Sequence, residues 1–289
     1  MQTRRMLLIV ALTGTCMWGA GRTLGAGEPT SCPFPLARSI AGDQALPLPF
    51  GATLTYFTQE QDYDIDRLRV KFATIPPALA AQLPAAAAAA LAAGAPLDGS
   101  IMGSVRAENA LQEANLRLDM WLLPFLNVFG IVGSLDGKTD VNTALLPGGL
   151  TVNYKGIVYG GGATLAAGRN NVFASLTGIY TGSALDTSDS TVTAWVVQPN
   201  LGYRFTNVAP LAGVAVWIGA MYQKAAEHHD GTTTVPPYGP VAYNVDLQER
   251  DPWNYTVGAH VDLTPCWQAE VEGGFGNRTH LSAGLTYRF

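Results

Sequence analysis

The chain ends in Thr279-His280-Leu281-Ser282-Ala283-Gly284-Leu285-Thr286-Tyr287-Arg288-Phe289, and this stretch decides the fold. Its odd positions, Leu281, Ala283, Leu285, Tyr287 and Phe289, are apolar, whereas His280, Ser282, Gly284, Thr286 and Arg288 are polar or small. A period of two puts successive side chains on opposite faces of an extended strand. The same separation runs through 266–275, where Trp267, Ala269, Val271 and Phe275 oppose Gln268, Glu270 and Glu272. It recurs in 254–263, where Tyr255, Val257, Ala259, Val261 and Leu263 oppose Asn254, Thr256, Gly258, His260 and Asp262. Neighbouring strands with one apolar and one polar face suit a sheet that meets lipid on one side and a polar interior on the other.

Seven further segments extend the pattern upstream: 49–58, 110–122, 125–135, 154–167, 171–180, 191–205 and 212–223. The alternation is clear in 191–205, where Trp195, Val197, Leu201, Tyr203 and Phe205 oppose Gln198, Asn200, Gly202 and Arg204, and weak in 125–135, which is apolar on both faces. The expected fold is therefore all-β, a closed antiparallel transmembrane β-barrel of about ten strands, within bounds of roughly eight to twelve. A spanning helix needs about 20 apolar residues. The three stretches that compete for that role, 75–97, 120–135 and 205–223, are each interrupted by proline.

Connection lengths alternate as a barrel requires. Short ones at Pro124, 168–170, 207–210 and 264–266 interleave with mostly longer ones at 136–153, 181–190 and 225–252, the turn at 276–278 being a short exception. The connection at 59–109 is too long for a simple loop. It opens on Asp62, Asp64 and Asp66 and contains an alanine run at 85–90, which predicts a short helix. That segment either caps or plugs the barrel, or is a solvated low-complexity loop.

The N-terminus reads as a secretory signal: Arg4 and Arg5, an apolar run from Met6, and a small-residue cleavage site at Leu24-Gly25-Ala26. The expected division is a signal peptide at 1–26, an N-terminal segment at 27–48 and the barrel at 49–289. Only 13% of residues are charged and 32 are glycine. Cleavage after Ala26 removes three of the 17 basic residues and none of the 22 acidic ones, leaving a chain more acidic than its whole-chain charge of −5. Phosphate attraction dominates nucleic-acid binding, so such a chain is a poor candidate for it.

The final Tyr287-Arg288-Phe289 resembles the C-terminal signature of Gram-negative outer-membrane β-barrel proteins, and Tyr203-Arg204-Phe205 repeats the triplet at another expected strand end. The resemblance implies an exported protein of the bacterial outer membrane. Its partners would be outer-membrane lipid and the barrel-assembly machinery, which reads Tyr287 and Phe289. The segment at 27–48 and the short turns would then be periplasmic, and the long loops extracellular.

The polar phase collects Arg117, Asp119, Arg204, His260, Asp262, Glu270, Glu272 and Arg288, all expected to face the lumen because charge facing lipid is costly. They either fill a narrow barrel with salt bridges or line a solute path. A three-residue turn at 264–266 would place His260 opposite Glu270. Cys32 and Cys266 fall on one side of the membrane, and barrel closure brings their strands together, so a disulfide is expected in an oxidising compartment. His228-His229-Asp230 lies in the longest C-terminal connection, where solvated loop residues compete with a base or a metal ligand. No G-x-S-x-G occurs, and Gly160-Gly161-Gly162 lacks the following helix of a phosphate loop, which leaves close backbone packing or a bend. No catalytic residue, metal or cofactor is expected. The function classes are a passive channel or transporter for a small solute, a structural or adhesive barrel with a sealed lumen, and an outer-rim hydrolase.

Overall fold

The computed structural model describes residues 33–41, 46–72, 75, 77–81, 85–94, 96–97, 106–142, 150–186, 191–206, 208, 211, 213–235, 239–249 and 251–289. The expected signal peptide and Cys32 lie outside these residues. Among them, no helix is long and apolar enough to cross a membrane.

The strands in chain order are β1 (Phe50–Phe72), β2 (Pro96–Leu97), β3 (Arg106–Leu123), β4 (Leu126–Asn142), β5 (Leu150–Arg169), β6 (Val172–Leu185), β7 (Thr191–Thr206), β8 (Gly213–Val235), β9 (Gly239–Glu249), β10 (Trp253–Asp262), β11 (Trp267–Gly276) and β12 (Arg278–Arg288). All except β2 and β9 form a ring of ten antiparallel strands, β1-β3-β4-β5-β6-β7-β8-β10-β11-β12, in which β12 returns to β1. The seam is closed by a reciprocal pair: Phe50 N–H donates to the Phe289 carbonyl (3.2 Å) and Phe289 N–H to the Phe50 carbonyl (3.1 Å). Each expected strand corresponds to one strand of the ring.

One barrel end, the turn end, carries the β12 terminus, the start of β1 and the short connections. The β5–β6 turn there is two residues, Asn170 and Asn171, both with positive φ. Asparagine tolerates that conformation, and the two-residue type I′ geometry matches strand twist.

At the opposite end the sequence reading ended the strands too early. β1 continues to Phe72, β4 to Asn142, β6 to Leu185 and β8 to Val235, so much of the expected loops at 59–109, 136–153, 181–190 and 225–252 is strand. The physical reason lies on the outer face. There Asp136 pairs with Lys155 (3.0 Å) and Lys138 with Asp140 on the outer face, while the inward positions include buried Leu135, Val141, Val152 and Tyr154, so the apolar and polar faces are exchanged. The period of two persists with its faces exchanged, so a reading keyed to an apolar outward face stops short of it.

Within the extended part, β9 closes the gap between β8 and β1 that β10, β11 and β12 are too short to fill. It pairs with Glu227–Val235 of β8 on one side and Tyr63–Phe72 of β1 on the other. At the junction the Arg278 guanidinium donates to the Pro252 carbonyl (2.6 Å) and the Asn277 amide to the Trp253 carbonyl (3.2 Å). These side chains tie the tip of the β11–β12 hairpin to the connection between β9 and β10 and to the start of β10. The alanine run forms α2 (Ala85–Ala93), preceded by α1 (Pro77–Ala80), and α2 packs on β1 and β2 with Leu91 buried.

The outer face of the ring exposes Leu54, Leu116, Val132, Ile157, Leu165, Leu176, Leu201, Ile218, Val257 and Leu281. An apolar surface of this extent is incompatible with water and suits hydrocarbon. Aromatic pairs bound it at both levels. Tyr203–Phe205 (4.9 Å) and Trp267–Tyr287 (5.0 Å) stand near the turn end, and Tyr180–Trp195 (4.7 Å) and Tyr222–Trp253 (5.2 Å) on the far side. Amphipathic rings favour membrane–water interfaces.

Candidate functional site

The odd positions of β3 and the even positions of β10 to β12 all point inward, so the ring brings the polar phase of the sequence into one lumen. Arg117, Asp119, His260, Asp262, Glu272 and Arg288 are buried, while Arg204 and Glu270 are partly so.

A continuous chain of contacts crosses the turn end of this lumen. Asn127 Nδ2 donates to Asp119 Oδ2 (2.8 Å), and Arg288 Nη1 reaches the same oxygen (3.2 Å). Arg288 Nε donates to Gln268 Oε1 (2.8 Å), and Gln268 Nε2 donates to Asp262 Oδ1 (2.9 Å). Asp262 then takes Arg204 Nη2 on its other oxygen (2.5 Å) and His260 Nε2 on the first (3.0 Å). The chain therefore links β4, β3, β12, β11, β10 and β7.

It skips two strands of that arc, and both skipped positions are glycine. A Cβ at Gly51 of β1 would stand 2.5 Å from Asp119 Oδ1, and one at Gly213 of β8 would stand 2.8 Å from Arg204 Nη2 and 2.9 Å from Asp262 Oδ2. The charged side chains lie across the bare backbone of an intervening strand, which lets residues two strands apart meet.

The same device recurs deeper in the lumen. The Trp217 indole lies over Gly258 of β10, and its Nε1–H donates to Glu272 Oε2 on β11 (2.7 Å), joined there by Gln198 Nε2 (2.8 Å). His280 Nε2 faces the other Glu272 oxygen at 3.6 Å, and its ring stacks on Phe57 (5.6 Å). Glu270 lies over Gly284. Arg117 rests on the Phe129 ring at 4.2 Å, a cation–π contact, and the Phe129 ring fills the space above Gly162. The triple glycine is thus a close-packing feature, one of the two readings its sequence allowed.

His260 and Glu270 are register partners, as the three-residue turn requires, although the imidazole contacts Asp262. His228-His229-Asp230 corrects the sequence reading: these residues belong to β8, paired with Asp246, Val245 and Asn244, and not to a loop. The extension of the wall above the apolar zone is what places them in a strand. Tyr287 and Phe289 face outward at the turn-end rim, with rings 6.1 Å apart. Sequence reasoning put Gln198, Gln268 and His280 on the polar face without naming them as site residues, and it missed Glu113 and Asn127. Glu113 is buried and accepts from Asn115 Nδ2 (2.9 Å). It shares the phase of Arg117 and Asp119 on one strand, so parity alone would have found it.

Cys266 is half-buried in the β10–β11 turn, and its carbonyl accepts from Arg288 N–H (2.8 Å). Cys32 lies outside the described residues, and no disulfide occurs among those described. The first placed ring after it, Phe34, packs edge-on against Phe50 (6.1 Å), which pairs with Phe289 next to Arg288.

No family model and no curated protein matches this chain. Among solved structures it is similar to the outer membrane protein OprG from Pseudomonas aeruginosa, at 12% identity and a TM-score of 0.34 over 84% of this chain and 98% of that one. It is similar to the transport unit of the autotransporter AIDA-I from Escherichia coli at 9% identity and 0.38, over 83% and 90%. The Pseudomonas putida toluene transporter TodX matches at 9% and 0.29, over 98% and 99%.

Two outcomes test the site. Gly213→Val should displace Arg204 from Asp262 and destabilise the barrel by about 1–3 kcal/mol, the usual cost of overpacking. Urea titration of the folded barrel in micelles reads this, and an unchanged midpoint would show that the strand is not crossed as described. The proposed Cys32–Cys266 bond predicts no reactive thiol in the denatured mature chain without reductant. Two reactive thiols would eliminate it.

Proposed function

We propose that this protein is a bacterial outer-membrane barrel that serves as a narrow channel or transporter for small polar solutes and is closed at rest by the charge chain from Asp119 to Arg204. The observation that carries the reading is the state of the lumen wall. Gln59 Oε1, Asn115 Oδ1, Asn127 Oδ1, Gln198 Oε1 and Asn254 Oδ1 are buried and have no hydrogen-bond partner among the described residues. Buried polar atoms are ordinarily paired with protein or water, and each orphan costs about 1–3 kcal/mol. Water admitted to the lumen would satisfy these acceptors, so their unmet state favours a lumen that can open to water.

In this reading the turn end faces the periplasm and the extended end the medium. The outer face meets outer-membrane lipid, and the assembly machinery recognises the strand bearing Tyr287 and Phe289. Catalysis is not assigned to it. A hydrolase at the outer rim would need His228 or His229 to reach a nucleophile, and the backbone of both is held in the β8–β9 ladder.

A second reading, a structural or adhesive barrel with a permanently sealed lumen, is favoured by one observation. Asp119 and Arg288 are only 5% and 4% exposed, and Asp262 is not exposed at all. Planar-bilayer recording separates the two. The intact protein should open rarely, and Asp119→Asn, which keeps the shape and removes the charge, should raise the open fraction about tenfold, as expected for losing roughly 1.5 kcal/mol of charge-assisted bonding. Silence from both proteins would establish the sealed barrel.

The assembly role of the C-terminus has its own test. Removing Phe289 deletes both backbone bonds to Phe50 and the terminal ring, so the yield of heat-modifiable barrel in outer-membrane fractions should fall while export continues. Equal folded yield would remove Phe289 from that role.

A further inference from the structure

The chain before β1 does not simply lead into the barrel. Residues 33–41 are folded against the turn end. Leu36 N–H donates to the Leu122 carbonyl at the end of β3 (2.9 Å), Phe34 packs on Phe50, and the Arg38 guanidinium binds the Phe34 and Pro35 carbonyls (2.5 and 3.3 Å), which knots the segment. The chain then returns through Leu46, which has no exposed surface, followed by buried Pro47 and Pro49. Arg288, from inside the lumen, reaches the Leu48 carbonyl (3.4 Å).

The lumen residues at this end point to the same cover. Trp121 is the last inward position of β3 before the turn, Asn127 the first of β4 and Asp262 the last of β10, and none of the three has exposed surface. Inward side chains at the mouth of an open barrel would be wetted from the adjoining compartment. Trp121 packs on Ala166 of β5 inside the wall. Leu46, an aliphatic side chain at zero exposure, lies two residues before the Leu48 carbonyl that Arg288 reaches at this mouth.

We infer that residues 33–41 and 46–49 form a stopper that seals the turn-end mouth of the lumen, with Leu46 seated in it and the Leu48 carbonyl latched by Arg288. The inference rests on the channel reading only for its effect on conductance, because closure itself is a matter of solvent access. Arg288 is shared between the stopper and the charge chain, binding Leu48, Asp119 and Gln268 together. Displacing the segment removes one ligand of the residue at the centre of that chain, so the two closures act as one.

The test places a reporter under the stopper. Ala166→Cys is made in a Cys32→Ser, Cys266→Ser background, with and without deletion of residues 27–46 behind an intact signal peptide. The folded barrel in micelles, checked by heat modifiability, is reacted with a charged, bulky maleimide. The reporter should be protected in the full chain and should label about tenfold faster or more after deletion, as for any site whose local cover is removed. Leu46→Gly, which leaves the segment in place, should give an intermediate rate and guards against a deletion that impairs folding. Equal rates in all three proteins overturn the stopper. Faster labelling without added conductance upholds the stopper and counts against the channel reading instead.

Discussion

A sheet in hydrocarbon cannot leave an edge unpaired, because no water is present to take its N–H and C=O groups. The rest of this structure follows from meeting that requirement with ten strands. The seam where Phe50 and Phe289 exchange backbone bonds sets the register of β1 against β12, and from there antiparallel pairing carries it around the ring. Once register is fixed, the phase of every side chain is fixed too, since a slip of one residue would turn the apolar set inward and Asp119, Arg288 and Glu272 into lipid. Closure and the sorting of charge are therefore a single constraint.

A ten-stranded ring is narrow, and the second consequence is how its interior is filled. Large inward side chains on every strand would collide. The sequence instead sets glycine opposite a long or aromatic side chain: Gly213 beneath Arg204, Gly258 beneath Trp217, Gly284 beneath Glu270 and Gly162 beneath Phe129. Each glycine is a hollow that a neighbouring side chain fills, and across Gly213 and Gly258 that side chain reaches the next strand but one. The abundance of glycine noted from composition thus has a steric meaning. It lets an interior with several carboxylates and arginines form a connected network, where side chains confined to their own strands would remain isolated.

The parts of the fold that were legible in the sequence are those where two solvents meet across one strand. β10, β11 and β12 showed their phase residue by residue because lipid selects Leu281, Leu285 and Tyr287 on one side, while the lumen selects His280, Arg288 and Glu272 on the other. β9 and the outer reach of β1 keep the period, with Val241, Tyr243, Val245 and Leu247 set against Asn244, Asp246 and Gln248, and Leu68, Val70 and Phe72 against Arg67, Arg69 and Lys71, but their charge and the register shift between Ile65 and Arg67 made both stretches read as loop. Glu113 and Asn127 escaped notice for a different reason. Glu113 directly follows Gln112, so the two faces contrast weakly there, and Asn127 lies in a stretch apolar on both faces, although their parity matches that of Arg117 and Phe129. The contacts themselves, such as Arg288 with both Asp119 and Gln268, join residues far apart in sequence. They depend on ring order and on where glycine permits a crossing, which period alone does not contain.

The charge chain also bears on what holds the lumen closed. Buried ion pairs are weak sources of stability, because desolvating both partners offsets most of their attraction, yet removing one partner is costly since the other remains buried and unpaired. Such a network resists partial change more than it stabilises the whole. Arg288 shows the effect in one residue, since its guanidinium is held by Asp119, Gln268 and the carbonyl of Leu48. Moving Leu46–Pro49 away weakens its hold, and moving Arg288 exposes Asp119 and releases Gln268 from one of its two partners. A lumen packed with aliphatic side chains would be as closed and would lack this coupling. The arrangement links the position of the N-terminal segment to the electrostatics of the wall, and under the proposed stopper opening at the mouth would carry rearrangement within the lumen with it.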